Sequence, residues 1–393
     1  MLMSYIEGDA WDKSEDKLDL PQASEIVREI AAFLATTFKT QLRGIGNIYP
    51  DPSKVPSASI IPANWDLSSP KYNIVQRMVS ADFITKSLCQ LDYARGPFKS
   101  SNGYMRARLE FAEQDLQARL YLAREWMKAR AGEDALLQAE SQKWDNKKYT
   151  WKSRGKLGRR KHPRTNSADS DDESDESDES TPDKGPFEYD VDEICVLKKA
   201  LSNLAKLRSL LDDVFQPPHP DEEPEPSMIY HPDMHSGNIL VNVTHGKLGA
   251  VLDWEWVSAV PLWEACVIPK FLEEGDGDRD LHIKPDPSNF WREVTGEDGQ
   301  PEREFDDEAF NWESALYRDT KLREVFEETM KELSPGWVEV AERSKPFRLY
   351  SRMLRGYDEP WWLRRFDLKY CKLVKMHKAA KKGLTQEVHG ESL

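Results

Sequence analysis

The chain of 393 residues carries 70 acidic side chains against 55 Lys and Arg, a formal net charge of −15. That balance argues against general nucleic-acid binding, and the apolar content is ample for one large or two ordinary domains. Cys89, Cys195, Cys266 and Cys371 are scattered, so neither a disulfide framework nor a zinc knuckle is expected, and no apolar run reaches the length of a signal peptide or a membrane span. The expectation is a cytoplasmic protein with no membrane partner.

Taken in chain order, the first periodic segment is Glu25 to Phe38, where Ile26, Ile30, Phe33 and Leu34 fit one helical face. Ser101 is a plausible N-cap for a long helix running towards Ala131. From Lys147 to Arg164 the chain is basic, and from Asp169 to Asp183 it is Asp, Glu and Ser with almost nothing apolar. Neither stretch can bury enough surface to fold, so residues 147–188 read as a disordered insertion separating 1–146 from 189–393. The plain reading of the insertion is a solvated loop whose opposite charges partly neutralise each other. Sharper readings are a nuclear-localisation patch, which adds a nuclear alternative, acid-directed phosphorylation at Ser170, Ser174 or Ser177, and a docking segment for a protein partner.

A helix is expected over Val191 to Phe215, followed by an extended proline-rich stretch from Pro217 to Pro226, and a charged amphipathic helix over Asp307 to Leu333, stopped by Ser334-Pro-Gly336. Trp254, Trp256 and Trp263 are expected in the core, and Glu255, Glu264, Glu273 and Glu274 on a solvated face. The fold class predicted is α+β, mainly helical, with helices packed around a small β-hairpin.

The chemistry concentrates between residues 231 and 253. Ile239 to Val243 and Leu248 to Leu252 are short β-rich runs around the turn residues Thr244-His-Gly-Lys247. Folding the second run back on the first brings Asn238 and Asp253 side by side at the open end, an amide and a carboxylate suited to Mg²⁺, which takes one or two protein oxygens and leaves the rest to water and phosphates. Asp233 lies in a loop broken by Pro232 and Gly237, where a carboxylate can accept the proton of an attacking hydroxyl. Asp233, Gly237 and Asn238 are also ordinary turn formers when taken singly. His235 reads as a phosphate or substrate contact or as a solvated loop histidine. His231 and His235, four apart, match a zinc-binding helical pair, but Pro232 and Ser236-Gly237 oppose the helix that pair requires.

The pattern His231-x-Asp233-x-x-x-x-Asn238, followed by Leu252-Asp-Trp-Glu255, resembles the catalytic and metal loops of the aminoglycoside phosphotransferase and choline kinase superfamily, which shares the protein kinase fold. Leu2-Met-Ser-Tyr-Ile-Glu-Gly8, Gly44-Ile-Gly-Asn-Ile-Tyr49, Gly96-Pro-Phe-Lys-Ser-Ser101, Val260-Pro-Leu-Trp263 and Pro269-Lys-Phe-Leu272 resemble its fungal branch. The resemblance implies a kinase-like C-terminal lobe that transfers a phosphate from ATP, with Mg²⁺, to a small-molecule hydroxyl acceptor. It implies Asp233 as catalytic base, His231 as a brace of the loop, Asn238 and Asp253 as Mg²⁺ ligands, Leu240 and Leu252 at the floor of the adenine pocket, and Met3 and Tyr5 in the nucleotide-binding hinge. With the hinge at residues 1–8, the glycine-rich lobe is expected to be missing from this sequence and the residues given to have weak activity or none. The alternative is a non-catalytic, pseudokinase-like interaction protein.

Overall fold

A computed structural model describes residues 6–48, 75–79, 83, 94–145, 191–273, 282–295 and 301–390; Met3, Tyr5, Tyr49, Glu274 and the 147–188 insertion lie outside the described residues. The fold is mixed α+β, mainly helical, with small antiparallel sheets. In chain order the elements are β1 (Asp9–Ala10), α1 (Leu20–Lys39), β2 (Leu42–Arg43), β3 (Asn47–Ile48), β4 (Val75–Gln76), α2 (Ser101–Ala131), α3 (Glu133–Ser141), α4 (Val191–Val214), β5 (Pro226–Tyr230), β6 (Ile239–Asn242), β7 (Lys247–Val251), β8 (Ser258–Pro261), β9 (Trp291–Thr295), β10 (Pro301–Phe305), α5 (Asp307–Leu333), α6 (Pro335–Arg343), α7 (Lys345–Arg355) and α8 (Pro360–Gly390).

The chain divides into two compact units. The first comprises Met1–Ile84, Ala94–Tyr104 and Pro218–Lys345. Its α1 begins five residues before the predicted helix, because Asp19 closes a capping box: its carboxylate accepts from the Gln22 N–H at 2.8 Å, and the Gln22 amide oxygen accepts from the Asp19 N–H at 3.1 Å. Ala23, Val27, Ala31 and Ala35 recur every fourth residue beside Ile26 and Ile30, and this fully buried stripe packs against α5, whose own inward residues are Leu322, Phe326 and Met330. Each buried Ile contributes about 1.5–3 kcal/mol. Helix α5 spans the predicted residues, but Pro335 and Gly336 do not enter a loop; they open α6 at once, Pro335 taking the first helical position where no N–H is needed.

Two three-stranded sheets frame the candidate site, in the orders β1-β6-β7 and β2-β5-β8. Strand β5 pairs antiparallel with β8 from Ser227 opposite Pro261 to Tyr230 opposite Ser258. The segment ending the proline-rich stretch is thus a strand from Pro226 onward, and it aims the chain straight into His231. Leu42, Val75 and Ala259 form a small core under these strands, with Ile48 and Ile229 against it. Helix α2 begins at Ser101, but the cap is Ser100, whose hydroxyl accepts from the Gly103 N–H at 3.2 Å. Ser101 instead donates its N–H and hydroxyl to the Glu225 carboxylate and accepts from Trp263 Nε1 at 2.6 Å.

The second unit comprises Thr85–Tyr93, Met105–Pro217 and Pro346–Leu393. Its core is lined by Leu109, Leu116, Leu197 and Leu204 from α2 and α4, and by Met353 and Leu363 further on. Tyr350, fully buried, donates its hydroxyl to the Leu207 carbonyl at 2.8 Å. Arg119, its side chain only 15% exposed, holds Asp358 at 2.7 Å, Glu193 at 3.0 Å and Asp115 at 3.4 Å through its guanidinium. Helices α2 and α4 and the turn between α7 and α8 are thereby tied through one cation.

Candidate catalytic loop and hairpin

The hairpin forms, with its turn shifted one residue towards the N-terminus. Asn242 faces Lys247 and Val241 faces Leu248; a bulge then intervenes, and Leu240 faces Ala250 and Ile239 faces Val251. Gly249 is the unpaired residue of that bulge. A side chain there would place its Cβ 3.2 Å from the Leu240 carbonyl, so the close approach requires glycine. Gly246 holds φ +59° in the turn, a backbone that other residues adopt only with strain. The Leu252 N–H donates to the Asn238 carbonyl at 2.8 Å, so the residue directly across from Asn238 is Leu252, and Asp253 is the next residue along.

Beyond Leu252 the strand stops, because Asp253 takes φ +58° and Trp256 φ +64°. Left-handed backbone at two non-glycine residues within one short turn is strain of the kind found at functional sites. The turn also explains a correction: Trp254 and Trp256 are 44% and 40% exposed, while Trp263 alone of the three is buried as expected. Trp254 bonds through Nε1 to the Val251 carbonyl at 2.7 Å and lies edge-on to His231 at 5.2 Å and to Phe33 at 5.9 Å.

His231 is the buried hub of the loop. Its Nδ1 accepts from the Asp233 N–H at 3.2 Å, so the ring proton sits on Nε2, which donates to the Leu252 carbonyl at 2.8 Å. Both ring nitrogens are thus committed to backbone, and the helical zinc pair is set aside. The Asn238 amide donates through Nδ2 to the Asp233 carbonyl at 2.9 Å, while His235 and Asn238 close the intervening turn through backbone bonds. Spending an amide hydrogen on the backbone leaves Oδ1, the atom with affinity for a hard cation, as the remaining polar atom of this side chain. Neither Asn238 Oδ1 nor the Asp253 carboxylate has a partner among the described residues.

Asp233 is not free. Its Oδ1 takes the Lys270 ammonium at 2.7 Å, and its Oδ2 lies 3.6 Å from His235 Nε2. The hydrogen bond from Lys270 holds the Asp233 carboxyl below the usual carboxylate range, with burial opposing. Lys270 is the functional candidate that sequence reasoning passed over. It lies 37 residues downstream, inside a segment used only to name a family branch, and no local spacing connects it to Asp233. Leu240 is half-buried and Leu252 is 36% exposed at the mouth of the hairpin.

The donor set fits Mg²⁺: one amide oxygen and one carboxylate, both unpartnered and next to a strained turn. Among the described residues no group of three or more His, Cys, Asp or Glu side chains is arranged to hold a metal ion. Among the described residues no helix is long and apolar enough to cross a membrane. No family model, curated protein or solved structure matches the chain.

Proposed function

We propose that residues 231–253 are the catalytic and metal loops of an ATP-dependent phosphotransferase acting on a small-molecule hydroxyl, set in a kinase-like C-terminal lobe. The observation that carries this reading is the backbone-locked network of His231, Asp233, Asn238 and Leu252, which leaves Asn238 Oδ1 and the Asp253 carboxylate unpartnered at the open end of the hairpin. Asn238 and Asp253 would hold Mg²⁺, which neutralises phosphate charge when bound. Asp233, whose Oδ1 Lys270 holds before nucleotide binds, offers Oδ2 to the acceptor hydroxyl, orienting it and taking its proton. His231 acts through others: it ties the Asp233 backbone to the hairpin end, so that base and metal ligands move as one body. Leu240 and Leu252 supply apolar surface for the adenine ring in this reading.

Titration of the protein with Mg·ATP in a calorimeter, beside Asp253→Asn, tests the proposal. Asn keeps the shape and tolerates a left-handed backbone, so the fold is retained while the charge is lost. Saturable binding in the wild type that weakens by about tenfold or more in the variant is expected, since a hydrogen bond or contact to a charged group is worth about 1.5–3 kcal/mol. Wild-type protein without binding overturns the reading and favours a non-catalytic interaction protein.

A further inference from the structure

We propose that Lys270 is a further substrate-contacting residue of this site, whose ammonium binds the γ-phosphate of ATP by exchanging Asp233 for phosphoryl oxygens. The inference rests on the reading of residues 231–253 as a Mg-nucleotide site. Lys270 is not a stray surface lysine. It begins the short turn Lys270–Leu272, and that turn is fastened to the catalytic loop by the Phe271 N–H donating to the Met234 carbonyl at 3.2 Å. Leu272 is buried beneath it, and the Phe271 ring lies 5.3 Å from Trp11. The backbone of Lys270 is therefore held in place relative to the residue that follows Asp233.

The side chain above this fixed backbone is open to solvent. It is 49% exposed, and Asp233 is its one partner among the described residues, so hydrogens of the ammonium remain for a second acceptor. A half-exposed ion pair is weakly held, so exchanging the carboxylate for a more highly charged phosphate costs little. Charge balance gives the direction. Asp233 and Asp253 both present negative charge where a polyanion must arrive, and Lys270 is the fixed cation among the side chains touching Asp233. A point charge with three donors suits a phosphoryl group. The terminal phosphate is the one concerned, because Lys270 stands beside Asp233, the residue that would face the phosphate acceptor.

Separate calorimetric titrations of the full chain with Mg·ATP and Mg·ADP, for wild type, Lys270→Met and Lys270→Arg, decide the matter. Lys270→Met is expected to weaken ATP about tenfold while leaving ADP within about twofold, and Lys270→Arg to restore most of the preference for ATP. Equal weakening of both nucleotides, or of neither, overturns the inference while leaving the nucleotide site standing. Wild-type protein that binds neither nucleotide instead removes the site itself, and the inference with it.

Discussion

Replacing His231 by Ala cuts the link between the 231–238 loop and the hairpin, and the structure allows its cost to be worked out. The Nδ1 and Nε2 hydrogen bonds at 3.2 and 2.8 Å each contribute about 1 kcal/mol net. The edge-on contact with Trp254 at 5.2 Å adds roughly 0.5–1.5 kcal/mol. The sum is about 3 kcal/mol for His231→Ala. His231→Asn keeps an acceptor near the Nδ1 position and loses the ring and the Leu252 bond, for about 2 kcal/mol by the same values. Urea unfolding followed by tryptophan fluorescence gives the totals, and hydrogen exchange at the Asp233 amide reads the loop directly. In His231→Ala that amide loses its acceptor and should exchange faster; in His231→Asn it should stay nearer the wild type. A change below about 1 kcal/mol in the Ala variant, or equal exchange in both variants, would show that the histidine does not brace the loop.

In protein with measurable turnover, Asp233→Asn should lower the rate by about two to four orders of magnitude while sparing Mg·ATP affinity, and full turnover in a kinase assay would refute its assignment as base. Burial raises the Glu225 carboxyl, against the pull of its bonds from Ser101, so the folded state holds that proton to higher pH than the unfolded chain. The resulting stability is complete below about pH 4 and is lost as pH rises through the folded value. Glu225→Gln should accordingly improve relative to wild type between pH 4 and pH 7 in thermal melts; a constant difference across that range would argue against a titrating Glu225. Arg119→Ala removes the cation shared by three carboxylates, two of them less than a fifth exposed, and should cost about 3–5 kcal/mol by chemical denaturation. Gly246→Ala forces a side chain into φ +59° and should cost about 1–2 kcal/mol, measurable as a lowered unfolding midpoint.

What could be read from the chain followed the range of the interactions involved. Helix α5 ran to its predicted limits because its periodicity, its acidic first turn and the proline beyond it are all local signals. The hairpin was legible for the same reason, although its turn closes one residue early and the Gly249 bulge recovers only part of that offset, so Leu252 rather than Asp253 lies across from Asn238. Strands β1, β2 and β8 span only two to four residues each, too short for an alternating pattern to emerge, and they are strands because distant partners complete their hydrogen bonding. Beyond residue 275 only helix was expected, yet β9 and β10 pair from Trp291 opposite Phe305 to Thr295 opposite Pro301. At the site, Asp233, Asn238 and Asp253 announced themselves by residue type. The role of His231 as a double backbone link, the exposure of Trp254 and Trp256, and the Lys270 ion pair all depend on how loops fold in space.

The bulge at Gly249 also works as a length adjuster. One surplus residue in β7 draws everything after it back along the hairpin by one strand step, about 3.3 Å, relative to an evenly paired ladder. Because side chains alternate faces, the same surplus residue exchanges which of them point to either side. A ladder that paired Gly249 evenly with Leu240 would set Val251 opposite Asn238 and carry Asp253 a full step beyond its present place, with the β7 side chains after the bulge reversed; the surplus residue keeps Leu252 there instead. The spacing between amide and carboxylate at the hairpin mouth is governed by a residue that has no side chain and touches neither of them.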